Sequence, residues 1–189
     1  MADIADRDNP RKIRNSTRVY HGRVWDVVRD QVDLGHGRVV ERDYVDHTSA
    51  VAILAIDDND NVALIRQYRH PVRRDLWEIP AGLLDVEGEA PLTAAQRELA
   101  EESDLKAKQW EELTRFYTSP GGSNEQLIIY LAREIATIPL HDRHQRRDEE
   151  EDLEIVFVPF TELLEAVIAG KIMNPATVIG VLNYAQHRR

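Results

Sequence analysis

The chain has 189 residues, a formal charge of −10 and no cysteine, a length that suits one domain with an appendage. The acidic balance excludes general nucleic-acid binding, which needs a basic face, and the lack of cysteine excludes disulfides and thiolate catalysis and fits a cytoplasmic setting. No run of about 18 apolar residues is present, so no membrane span is expected.

Residues 1–16 are polar and charged, lack the apolar stretch of a signal peptide, and read as a flexible arm. From Thr17 the pattern alternates, with Val19, Val24, Val27, Val28 and Val32 set among polar residues. Gly22 and Gly35-His36-Gly37 mark turns, so residues 17–34 and 38–45 read as successive antiparallel strands. SAVAILAI (49–56) is a continuous apolar run, as in a strand covered on both faces. The Asp/Asn cluster at 57–61 reads as a hairpin turn, because it lacks the glycine and closing glutamate of a calcium loop. Residues 62–68 return as a strand, Arg69-His70-Pro71 ends it, and Arg73-Arg74-Asp75 reads as a polar loop. Trp77 reads as a core aromatic. Pro80 and Gly82 predict a sharply turned backbone.

Pro91 suits a first helical position, where its missing N–H costs nothing. Residues 93–102 are rich in Ala, Leu, Glu and Gln and contain no Gly or Pro, which predicts a helix. Leu92, Ala95 and Leu99 are expected to form its buried stripe. Glu98, Glu101 and Glu102 recur at the same spacing on another face. Like charges at that spacing weaken an isolated helix by a few tenths of a kcal/mol, about 0.2–0.5 per pair. A divalent cation removes the repulsion, and Mg²⁺ takes oxygen ligands from carboxylates and substrate phosphates. Taken alone, such a face is also what a solvated acidic helix shows.

Beyond the helix, residues 110–117 read as a strand, 118–125 as a loop dense in residues that permit unusual backbone angles, and 126–132 as a buried strand. Residues 139–152 form a charged surface loop, and His141 and His144, with no cysteine beside them, do not read as a metal pair. A strand at 153–158, a helix at 161–169 stopped by Gly170, and a last helix at 176–187 opened by Asn174-Pro175 complete the chain. The order fits an α/β sandwich on a mixed sheet.

Gly82, Glu89, Arg97, Glu98, Leu99, Glu101, Glu102 and Leu105 resemble the Nudix box: a glycine, a glutamate, then REUxEExGU, with U a bulky aliphatic. The loop from Gly82 to Glu89 is one residue longer than the family pattern, and Asp104 stands where the family has glycine. A left-handed backbone there would cost Asp roughly 1 kcal/mol relative to Gly. Neither departure removes a ligand position. The resemblance implies the Nudix α/β/α sandwich around a mixed β-sheet over residues 47–189, with a small N-terminal antiparallel sheet in 1–46. Family members like this chain use that sheet to build a homodimer.

The resemblance also implies Mg²⁺ (or Mn²⁺) held by Glu98, Glu102, Glu151 and the Ala81 carbonyl, with Glu101 near. Matching EEEDL to the family loop gives Glu149 the task of deprotonating the attacking water, with Glu150 and Glu125 as alternatives. Arg97 is expected to orient Glu98 or its neighbours. Arg69 and Arg42 match positions that contact substrate phosphate or ribose, Arg42 across the dimer, and a surface salt bridge is the other reading of both. The loop SPGGSNE, with Ser123 and Glu125 as candidate substrate contacts, resembles the ADP-ribose pyrophosphatase branch. The expected substrate is a small nucleoside diphosphate sugar, ADP-ribose, cleaved to AMP and ribose 5-phosphate. A hydrolase of another derivative (an ADP-sugar or NADH) and a non-catalytic ADP-ribose sensor are the rivals.

Overall fold

The computed structural model describes residues 4–145 and 153–188. They form two compact units, residues 4–47 with Ser119–Glu125, and Thr48–Thr118 with residues 126–145 and 153–188.

The first unit carries an antiparallel sheet in the order β1-β2-β3, from Lys12–His21, Asp26–Gly35 and Arg38–Asp46. Here the structure corrects the expected arm, because β1 begins at Lys12 and pairs with β2 from Lys12↔Asp33 onward. Every residue of β1 is exposed, so burial imposes no alternation on its sequence. The strand is held instead by the ladder and by cross-strand pairs such as Arg14 to Asp33 at 2.7 Å.

In the second unit, β4 (Ala50–Ala55) and β9 (Gln126–Thr137) pair in parallel at the centre of a mixed four-stranded sheet, flanked by β7 (Ala81–Leu83) and β8 (Leu105–Tyr117). A second, antiparallel sheet joins β5 (Asn61–Arg69) to β6 (Arg74–Glu78) and β10 (Glu154–Pro159). Strands β4 and β9 show why apolar runs without alternation belong at a sheet centre. Ala50, Ala52, Leu54, Leu127, Ile129 and Leu131 face one core with Phe160, Leu163 and Val181 of α2 (Phe160–Ile168) and α3 (Pro175–His187). Val51, Ile53, Ala55, Ile128 and Tyr130 face the other, with Ala94, Ala95 and Leu99 of α1 (Pro91–Ser103). The result is an α/β/α sandwich, as the resemblance implied. No helix among the described residues is long and apolar enough to cross a membrane.

Two local expectations differ. Arg74 and Asp75 lie in β6, because the turn closes earlier, on a left-handed Arg73 at φ 54°. Leu92 falls at the right helical angle but in the opening turn of α1, where it remains 37% exposed; Ala94, Ala95 and Leu99 form the buried stripe. Burying a Leu side chain such as Leu99 contributes about 1.5–3 kcal/mol.

Candidate active site

Helix α1 starts at Pro91 and is capped after Ser103 by Asp104, which adopts the left-handed conformation at φ 55°. That strain is offset by what Asp104 gains. Its N–H donates to the Ala100 carbonyl at 3.1 Å, its carbonyl accepts from Ile138 N–H at 2.8 Å, and its carboxylate lies 3.6 Å from Arg143 Nη1.

Arg97 gathers the carboxylates of the box. Its Nε and Nη2 donate to the two Glu89 oxygens at 3.2 and 3.0 Å, and its Nη1 reaches Glu98 at 2.6 Å and Glu101 at 3.2 Å. One guanidinium thus offsets the repulsion that three clustered carboxylates would otherwise feel. Its hydrogen bonds hold the Glu89 carboxyl below the usual range. A depressed carboxyl pKa keeps this anchor ionised at neutral pH, and the contribution is lost as pH falls through that lowered value.

Gly82 is required where it stands. A Cβ on it would overlap the Glu98 carboxyl group, so the absent side chain is the space that Glu98 occupies. Glu102 is buried, 5% exposed, and its Oε2 accepts the Ala81 N–H at 2.8 Å. Strand β7 is anchored to β4 by Ile53 N–H to Pro80 O and Leu84 N–H to Ser49 O. Antiparallel pairs alternate, so Ala81, opposite Ala52, has its N–H and C=O on the side away from β4. That is the edge facing Glu102. On the other side of the turn, Ile79 N–H donates to Thr177 Oγ1 at 3.0 Å, and Asn174 caps α3 by accepting from Thr177 N–H at 2.9 Å.

Arg69 forms a two-pronged pair with Glu78, at 2.9 and 2.7 Å. The Glu78 side chain is 1% exposed and that of Arg69 is 41%. Glu78 is the residue that reading the sequence did not single out. Its signal was a carboxylate inside the apolar run LWEIP, a place that a charge occupies only when it is paired.

The fold therefore brings together Ala81, Gly82, Glu89, Arg97, Glu98, Glu101 and Glu102 around α1. Arg42, Ser123 and Glu125 belong to the first unit; Arg42 is exposed and donates to its neighbour's carbonyl, Glu41 O, at 2.8 Å. Glu149, Glu150 and Glu151 lie outside the described residues. Among the described residues no three acidic, His or Cys side chains form a ready ligand cluster. The oxygen donors present still fit a hard divalent ion: a glutamate given room by a missing Cβ, a buried glutamate, and a carbonyl on a free strand edge.

The NUDIX domain family model matches residues 46–175. The chain is 41% identical to the ADP-ribose pyrophosphatase of Mycobacterium tuberculosis (strain ATCC 25618 / H37Rv), over 89% of this chain and 80% of that protein. It is 34% identical to the ADP-ribose pyrophosphatase of Bacillus subtilis (strain 168), over 86% of each. A solved structure described as an ADP compounds hydrolase superposes with a TM-score of 0.79 at 22% identity, covering 97% of this chain and 96% of that one, and shows the same fold. With the box residues assembled around one helix and the family model spanning most of the chain, this protein belongs to the NUDIX family.

Proposed function

We propose that this chain hydrolyses ADP-ribose to AMP and ribose 5-phosphate. The observation that carries the reading is the box itself: Glu98 set over Gly82 and tied to Arg97, beside a buried Glu102 on the edge of Ala81. The two pyrophosphatase relatives supply the substrate class.

Glu98, Glu102, the Ala81 carbonyl and Glu151 would hold Mg²⁺ or Mn²⁺. When bound, the ion supplies neutralisation of the diphosphate oxygens and a more acidic water. Arg97 keeps Glu98 and Glu101 aimed. Arg69 and Arg42 are assigned to substrate phosphate or ribose, and Ser123 and Glu125 to substrate contacts. Glu149 is assigned to take the proton from the attacking water, with Glu150 and Glu125 as alternatives. One P–O bond forms from that water, the bridging P–O bond breaks, and the two monophosphates leave.

The test is product analysis with Mg²⁺ on ADP-ribose beside ADP-glucose, NADH and 8-oxo-dGTP. Preferred formation of AMP and ribose 5-phosphate is expected. Preferred turnover of another substrate would replace the assignment, and tight ADP-ribose binding without turnover would make the protein a sensor.

We also propose a homodimer through the N-terminal sheet, since β1 is exposed along its whole length and carries Ile13, Val19 and Tyr20. Sedimentation should give twice the chain mass. A monomer with full turnover would refute the dimer and leave the chemistry standing.

A further inference from the structure

The loop Ser119–Glu125 groups with the N-terminal sheet, and its shape is not set by its glycines. Gly121 and Gly122 both lack a positive φ, and a Cβ on either would meet open space. Hydrogen bonds define the loop instead. Gly122 and Ser123 N–H groups both donate to the Ser119 carbonyl at 2.9 Å, which closes the turn. Val45 N–H donates to Gly122 O at 2.9 Å and Asn124 N–H to Val45 O at 3.3 Å, a parallel bridge between Ser123 and the end of β3. The Asn124 side chain then spans the next two residues of the chain, the last of β3 and the one after it. Its Nδ2 donates to Asp46 Oδ1 at 2.6 Å and its Oδ1 accepts from His47 N–H at 2.8 Å. Beside it, Glu125 Oε1 lies 3.7 Å from His47 Nε2, and Glu125 N–H donates to Ser123 Oγ at 3.1 Å.

We infer that Asn124 is a positioning residue for substrate selection: its amide clips the loop to Asp46 and His47 and so fixes where Ser123 and Glu125 stand. The inference rests on the proposed role of Ser123 and Glu125 as substrate contacts. The chemistry at the clip calls for an amide. Donating to a carboxylate while accepting from a backbone N–H needs both functions on one short planar group. Aspartate supplies no donor and would face the Asp46 carboxylate, and serine does not span the two partners. Because the bond to Asp46 is charge-assisted, it is among the stronger hydrogen bonds. Its loss reorganises the loop, not the catalytic helix, so the effect falls on substrate binding.

The experiment compares N124A, N124D and the paired exchange D46N with N124D. The last restores both hydrogen bonds with donor and acceptor reversed across the Asp46 contact. Steady-state kinetics and amide hydrogen exchange of residues 119–125 are read on the full chain. N124A is expected to raise KM about tenfold with kcat within about threefold, the size of one charge-assisted hydrogen bond, and to lose amide protection in the loop. N124D should be at least as impaired, and the paired exchange should return KM and protection to near wild type. Unchanged KM and protection in N124A, or a paired exchange no better than N124D, would overturn the clip. If the wild-type chain prefers a substrate other than ADP-ribose, the proposed activity fails. The clip is then judged on that preferred substrate and on amide protection, neither of which requires ADP-ribose.

Discussion

Exchanging Glu98 for Gln is expected to lower Mg²⁺-supported turnover of ADP-ribose by about 100-fold or more while hardly changing Tm. Loss of a partner that only orients a ligand already costs roughly 10- to 100-fold, and Glu98 is assigned as a ligand. The substitution keeps the shape of the side chain, and Arg97 retains Glu89 and Glu101 as partners. Gly82→Ala should reproduce much of the loss without touching a carboxylate. The added Cβ would overlap the end of the Glu98 side chain, not backbone. The chain can accommodate it by turning that carboxylate aside, so folding suffers little and aim suffers greatly. A misplacement of about 1 Å in a catalytic constellation is worth about 10²-fold. Steady-state kcat with a Mg²⁺ titration, beside calorimetric Tm, separates the two effects. Turnover of E98Q within a few fold of wild type would remove Glu98 from the ligand set. A large fall in Tm for G82A would mean that the glycine serves the fold and not the carboxylate.

Helix α1 was legible because several local signals coincide there. Pro91 at the start, helix-forming residues after it, and Glu98, Glu101 and Glu102 at helical spacing agree with one another and with the box. The central strands were legible for a different reason: β4 and β9 are covered on both faces, and continuous apolar runs record that. Strand β1 was not legible over residues 12–16, since a strand exposed at every position records nothing in its hydropathy. The start of β6 was hidden similarly, by exposed Arg74 and Asp75 whose place is set by pairing with Arg69 and Tyr68. At the site, the box residues could be picked out along the chain, but the contact that fixes each position could not. Gly82 serves as room for Glu98, and Asn124 ties its loop to β3 through residues distant in sequence. Such contacts are long-range, and no window of local sequence contains them.

Arg69 and Glu78 give the second large effect, in stability. Glu78 is 1% exposed and meets Arg69 through both oxygens. Removing one partner of a buried pair costs about 3–5 kcal/mol, because the other charge is left without compensation, whereas replacing both is often close to neutral. The burden here is asymmetric. The Arg69 head group, 41% exposed, can turn to solvent when Glu78 is neutralised, but Glu78 has no such exit. Arg69→Gln is therefore expected to lower Tm by roughly 10 °C. Glu78→Gln should lower it much less, and the double substitution should recover most of the loss. A substrate role for Arg69 then becomes separable from its structural one. In the stable double variant, KM for ADP-ribose should stay raised by about tenfold if the guanidinium contacts a phosphate, the scale of a charged hydrogen bond. Recovery of Tm together with wild-type KM would make Arg69 a cover for Glu78 and nothing more. An R69Q variant as stable as wild type would show that Glu78 draws its compensation from elsewhere.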